Sequence, residues 1–157
     1  MRLTADNGNS IEIRVEGYEF PDVTPQGADD YDANWLRIHG RVVNGSDAWE
    51  FRDPCLTTWE AHALISWFRE ASEGNGAAAI DFIEPGLSFQ VIDADARSRA
   101  LTLVLTRETA QPGNISSEIS LLLPAASLAR AADELASELK DYPSAEAHRP
   151  PWRLPRR

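Results

Sequence analysis

A chain of 157 residues with 43% hydrophobic and 25% charged side chains has the size and balance of one globular domain, and two independent cores would be cramped in it. Its formal net charge is −10, with residues 1–140 carrying 11 Lys+Arg against 23 Asp+Glu and residues 141–157 carrying 4 against 2, so the body is acidic and the tail mildly basic. A surface of that sign repels phosphate backbones, which disfavours nucleic-acid binding, and it steers a cationic protein partner inward, although acidity also serves solubility alone.

Cys55 is the single cysteine, which excludes an intramolecular disulfide and a multi-cysteine metal centre. The opening stretch from Met1 to Val15 holds no apolar run of signal-peptide length, and nothing approaches the ~20 apolar residues of a spanning helix. The expectation is a cytoplasmic protein with no membrane partner.

In chain order, Ser10 to Val15 alternates apolar and polar behind the turn-forming Asp6-Asn7-Gly8-Asn9. This predicts a first hairpin with arms Leu3 to Ala5 and Ser10 to Glu16, and Ile11, Ile13 and Val15 facing the core. From Gly17 to Asp32 no periodicity survives, and Pro21, Pro25 and Gly27 punctuate a long acidic connection with Tyr18 and Phe20 expected to pin its start. Asp29 to Asn34 lacks the sixth-position glycine and distal glutamate of a helix-loop-helix calcium site, so a solvated acidic loop is the expectation.

Trp35 to Val43 alternates, Asn44-Gly45-Ser46-Asp47 turns the chain, and Ala48 to Arg52 returns as a second hairpin in which Gly40 marks a bulge or room for a ring. Asp53-Pro54 should end that strand, and Thr57-Thr58-Trp59-Glu60 has the form of a capping box opening a helix to about Ser72. Its predicted apolar stripe is Leu56, Trp59, Ala63, Leu64, Trp67, Phe68 and Ala71, closed by glycine in Glu73-Gly74-Asn75-Gly76.

Four strands are predicted next, at residues 79–83, 87–92, 100–107 and 117–123, joined by short connections in meander order. Pro124 ends the last, and Ala125 to Lys140 reads as a second helix burying Leu128, Ala132, Leu135, Ala136 and Leu139. The fold class is therefore α+β: a single domain over 1–142, with one twisted antiparallel sheet of about six or seven strands and helices at about 57–72 and 125–140. Residues 143–157 form a Pro/Arg-rich tail, expected to be disordered or anchored along the domain by Trp152.

No constellation declares a reaction. Cys55 with His62 or His39, oriented by Asp53 or Glu60, is the one conceivable nucleophilic set, and a helix entrance is equally a place for a small packed side chain. His39, His62 and His148 lack zinc-helix spacing, and no glycine-rich phosphate cradle is present. The expectation is no cofactor, no metal and no catalytic residue, with a thiol-dependent enzyme using Cys55 or a regulatory binding module left open as alternatives.

Tyr31-Asp32-Ala33-Asn34-Trp35-Leu36, then Gly40, Trp49 through Asp53-Pro54-Cys55-Leu56, Glu60 and Trp67 resemble the bacterial family of WapI-type immunity proteins. Phe82-Ile83-Glu84-Pro85-Gly86-Leu87 is similar to that family's strand-turn-strand element, with glycine where asparagine would be expected after the proline. The resemblance covers residues 3–107 and is looser beyond. It implies a non-enzymatic antidote that neutralises a toxin domain by stoichiometric binding; the namesake's toxin cuts transfer RNA, and a nuclease's basic groove suits an acidic antidote. Trp35, Trp49, Asp53, Pro54, Cys55, Glu60 and Trp67 are then expected to hold the shared core and caps. Binding is expected in the acidic loop at Asp22, Asp29, Asp30, Tyr31 and Asp32, with Tyr31 as an aromatic anchor.

Overall fold

In the computed structural model, residues 1–24, 30–93 and 95–144 are described, and within them the chain runs twice through four strands and a helix. Strands β1 (Arg2–Thr4), β2 (Ser10–Tyr18), β3 (Trp35–Asn44) and β4 (Asp47–Thr57) form one antiparallel sheet in chain order, and α1 (Thr58–Ser72) follows directly. Strands β5 (Ala79–Asp81), β6 (Leu87–Asp93), β7 (Ser98–Thr106) and β8 (Ser116–Pro124) form a second, also in chain order, before α2 (Ala125–Leu139).

The α+β class with two helices matches the sequence expectation, but eight strands in two sheets replace a single sheet of six or seven. The division arises because α1 carries the chain away after β4, and β5 then pairs with β6 rather than with any first-sheet strand. Side chains bridge the sheets where backbone pairing does not: Asn9 Nδ2 donates to Ser120 O at 3.4 Å and Asn44 Nδ2 to Glu118 O at 3.1 Å. Asn9 precedes β2 and Asn44 ends β3, and their amides satisfy carbonyls on the edge strand β8, which also blunts that edge.

Asp53-Pro54 does not end β4, which continues to Thr57. Leu36 pairs with Leu56 and Ile38 with Asp53, so Pro54 and Cys55 lie in an irregular step of the ladder. An edge strand with an irregular ladder step is where a sheet tolerates proline. Gly40, opposite Phe51, leaves room for a ring: a Cβ there would overlap the Phe51 side chain.

One core cluster draws on both sheets and both helices. α1 buries Ala61, Leu64, Ile65, Trp67, Phe68 and Ala71, so the stripe is rotated from the predicted one: Ala63 is exposed and Ile65 takes its place. α2 buries Leu128, Ala131, Ala132, Leu135 and Leu139, with Ala136 half-buried at the margin. Thr57 and Glu60 form the capping box, with Glu60 N–H donating to Thr57 Oγ1 at 3.2 Å and Thr57 N–H to Glu60 Oε2 at 2.9 Å. At the other end Gly74, at φ +76°, donates its N–H to Ala71 O, and Asn75 N–H reaches Glu70 O, the paired bonds of a glycine stop.

Arg99, 4% exposed, extends that stop. Its Nε donates to Ala71 O at 2.8 Å, alongside the Gly74 N–H, and its guanidinium to Ser72 O at 3.2 Å, so a cation sits at the negative end of α1 on its last carbonyls. Tyr18 Oη donates to Pro143 O at 2.6 Å and its ring meets Tyr142 edge-on, which holds the end of the described chain against β2. Trp152 and the rest of the tail lie outside the described residues. Among the described residues, no helix is long and apolar enough to cross a membrane.

Candidate functional site: an acidic cleft beside the 19–35 loop

Two turns packed on β4 create a cleft. The Glu84-Pro85-Gly86 turn between β5 and β6 is tied to the Arg107–Thr109 3-10 turn after β7: Thr106 Oγ1 donates to Pro85 O, Thr109 Oγ1 to Gly86 O, and Thr106 N–H to Gly86 O at 3.1 Å. Trp49 Nε1 donates to Thr109 O at 3.0 Å and so fastens the second turn to β4. At Gly86, where asparagine would be expected, a Cβ would lie in tight contact 3.3 Å from Thr109 Cγ2 and in ordinary contact 3.5 Å from Cys55 Cβ.

The cleft encloses about 320 Å³ between Phe20, Trp35, Pro54 and Pro85 on its apolar walls and Asp53, Glu84, Arg107 and Glu108 as its charges. Half-buried Asp53 makes no hydrogen bond or ion pair among the described residues, in contrast to the capping role expected of it. Burial, then the neighbouring charges of Glu108, Glu84 and Glu19, push its carboxyl above the ordinary aspartate range. Arg107 is held at φ +56°, an uncommon conformation for a residue other than glycine. Sequence reasoning placed Trp35, Asp53 and Pro54 in its motif but missed Phe20, Glu84, Arg107 and Glu108 as a set, because they converge from distant segments. Phe20, expected against the core, is 45% exposed at the cleft.

The acidic loop adjoins this cleft through Phe20 and Trp35. Glu19 N–H donates to Trp35 O at 2.8 Å, and Val23 N–H to Phe20 O at 3.2 Å. Tyr31 O accepts from both Asn34 N–H and Trp35 N–H, while buried Asn34 donates from Nδ2 to Asp30 O and accepts from Thr58 Oγ1 at 2.6 Å. The turn is thus strapped to the start of α1. Tyr31 is 47% exposed, and its ring stands edge-on to Trp59 with centroids 5.3 Å apart. Asp22 and Asp32 are exposed, Asp30 is half-buried, and Asp29 lies outside the described residues.

The remaining motif residues point inward. Trp67 Nε1 donates to Ala77 O at 2.8 Å, and its ring packs with Phe68 and Phe89. Cys55 is fully buried, and burial together with the nearby Asp53 charge pushes its thiol far up, away from the thiolate a nucleophile needs. His62 stands on the exposed side of α1. No group of His, Cys, Asp or Glu among the described residues is placed to hold a metal ion.

The family model of the immunity protein WapI-like family matches residues 2–143, which takes in the cleft, the loop and both helices. The chain belongs to the WapI-like immunity protein family. Membership implies an immunity role exercised on a protein toxin. The match extends past residue 107, where the resemblance of the sequence motifs loosens, and so includes β8 and α2 of the WapI-like fold. A comparison with curated proteins finds no match.

Proposed function

We propose that this protein acts in the cytoplasm as a non-enzymatic antitoxin, neutralising a basic nuclease-type toxin domain by stoichiometric binding through its acidic loop. The observation that carries this reading is Tyr31: a large ring left half in solvent, braced against Trp59, with Asp30 and Asp32 beside it in the chain and Asp22 earlier in the same long connection. A half-exposed aromatic braced at its edge is the kind of residue that anchors an interface, and carboxylates near it in the chain accelerate encounter with a cationic surface. The net charge of −12 over residues 1–140 supplies the steering field and disfavours nucleic acid as the direct ligand. Residues 1–142 act as the binding domain in this reading.

The test is co-expression with the toxin domain encoded beside this gene, paired with titration calorimetry of the purified components. Growth rescue and a one-to-one complex are expected, with association slowing as salt rises. Tyr31→Ala combined with Asp32→Lys should weaken the complex by about a hundredfold or more. Failure of rescue in cells that accumulate both proteins would sink this reading for that pair.

A further inference from the structure

We propose that the cleft between Trp35 and the two turns is a receptor for a single arginine side chain of a protein partner. The volume, about 320 Å³, sits at the small end of ligand pockets and suits one long side chain better than a cofactor. Its lining combines two aromatic residues, Phe20 and Trp35, with three carboxylates, Asp53, Glu84 and Glu108, against one guanidinium, Arg107. None of these four charged groups has a hydrogen bond or ion pair among the described residues. Even if Arg107 neutralised one carboxylate, two would remain without a counter-charge.

That excess is felt inside the protein. The carboxyl of Asp53 is pushed up by burial and then by the charges of Glu108, Glu84 and Glu19, and an incoming cation would offset that penalty on its ionised form. A guanidinium fits best on chemistry: it is flat, stacks on aromatic faces, is weakly hydrated and pairs with carboxylates through a fork of donors. An ammonium shares only the charge.

The partner's identity as a toxin rests on the function proposed above, with which the cleft is continuous through Phe20 and Trp35. The chemistry of the cleft is tested without any toxin. Nα-acetyl-arginine N-methylamide is titrated into the full chain while the Trp35 indole resonance is followed, with the neutral citrulline analogue in parallel. Saturable shifts with arginine, at a dissociation constant of about a millimolar, and none with citrulline are expected. Asp53→Asn/Glu84→Gln should weaken binding by about tenfold or more. Glu84→Gln alone, at an exposed turn, gives a smaller loss in the same direction and guards against misfolding of the double variant.

Arg107→Gln decides the sign of the ligand. Removing a competing cation should tighten arginine binding by about twofold or more. Loss of binding in that variant, equal binding of citrulline, or no saturable shift up to about 50 mM would overturn the inference. A toxin complex whose affinity is unchanged in Asp53→Asn/Glu84→Gln would also overturn it, while leaving the toxin reading in place. Saturable arginine binding by a protein that protects no cell would support the cleft and sink the toxin reading alone.

Discussion

Glu60 accepts a hydrogen bond from the backbone amide of Ile83 at 2.6 Å, using the carboxylate oxygen that its capping box leaves free. One side chain thus starts α1 and holds the turn that forms a wall of the cleft. Glu60→Ala removes a helix cap and a charge-assisted bond together and should destabilise the fold by about 1–3 kcal/mol in urea denaturation. Glu60→Gln, which keeps an acceptor oxygen, should fall between this variant and the parent. Equal stability of all three would show that neither bond matters.

Gly40 lies under the ring of Phe51 across the β3–β4 ladder. Gly40→Ala sets a methyl group into that ring and should destabilise by about 1–3 kcal/mol despite alanine's better fit to an extended chain. Phe51→Leu in the same background should recover part of the loss, because the obstruction is specific to the ring. Thermal melts of the two single variants and the double variant measure the coupling.

Legibility in the sequence followed the range of the interaction. The capping box of Thr57 and Glu60 and the glycine stop at Gly74 are signals three to six residues long, and both form as read. Pro54 reads locally as the end of β4, but the strand continues because an edge position and an irregular ladder step accommodate a proline, both properties of the sheet pairing. Arg99 carries a usable signal in the sequence. It shares the inward phase of Leu101, Leu103 and Leu105 on β7, and a charge in a buried phase demands a partner, here the carbonyls ending α1. The cleft offered almost none, since its charges are ordinary acidic and basic residues until two turns bring them together.

Cys55 should behave as a packed side chain. With the thiol fully buried and its ionisation opposed by burial and by Asp53, Ellman's reagent should leave the native protein unmodified and react completely in denaturant. Cys55→Ser, which puts a hydroxyl into the same space, should destabilise by about 1–3 kcal/mol. Rapid modification of the folded protein would reopen a thiol chemistry.

The raised Asp53 carboxyl makes part of the stability depend on pH with a definite sign. An unfolded aspartate titrates near pH ~3.9, and the folded group holds its proton to higher pH because burial and the Glu108, Glu84 and Glu19 charges oppose ionisation. Below the unfolded value both states are protonated and no penalty exists. As pH rises through the folded value the native carboxylate must ionise against its neighbours, and that stability is lost. Asp53→Asn stays neutral throughout, so it should melt above the parent at about pH 7, with the gap closing as pH falls below about 3.9. Comparing variant with parent at each pH removes the titration of the other acids. A variant less stable than the parent near neutrality would mean that Asp53 is stabilised as an anion, and the cleft would then hold a counter-charge of its own.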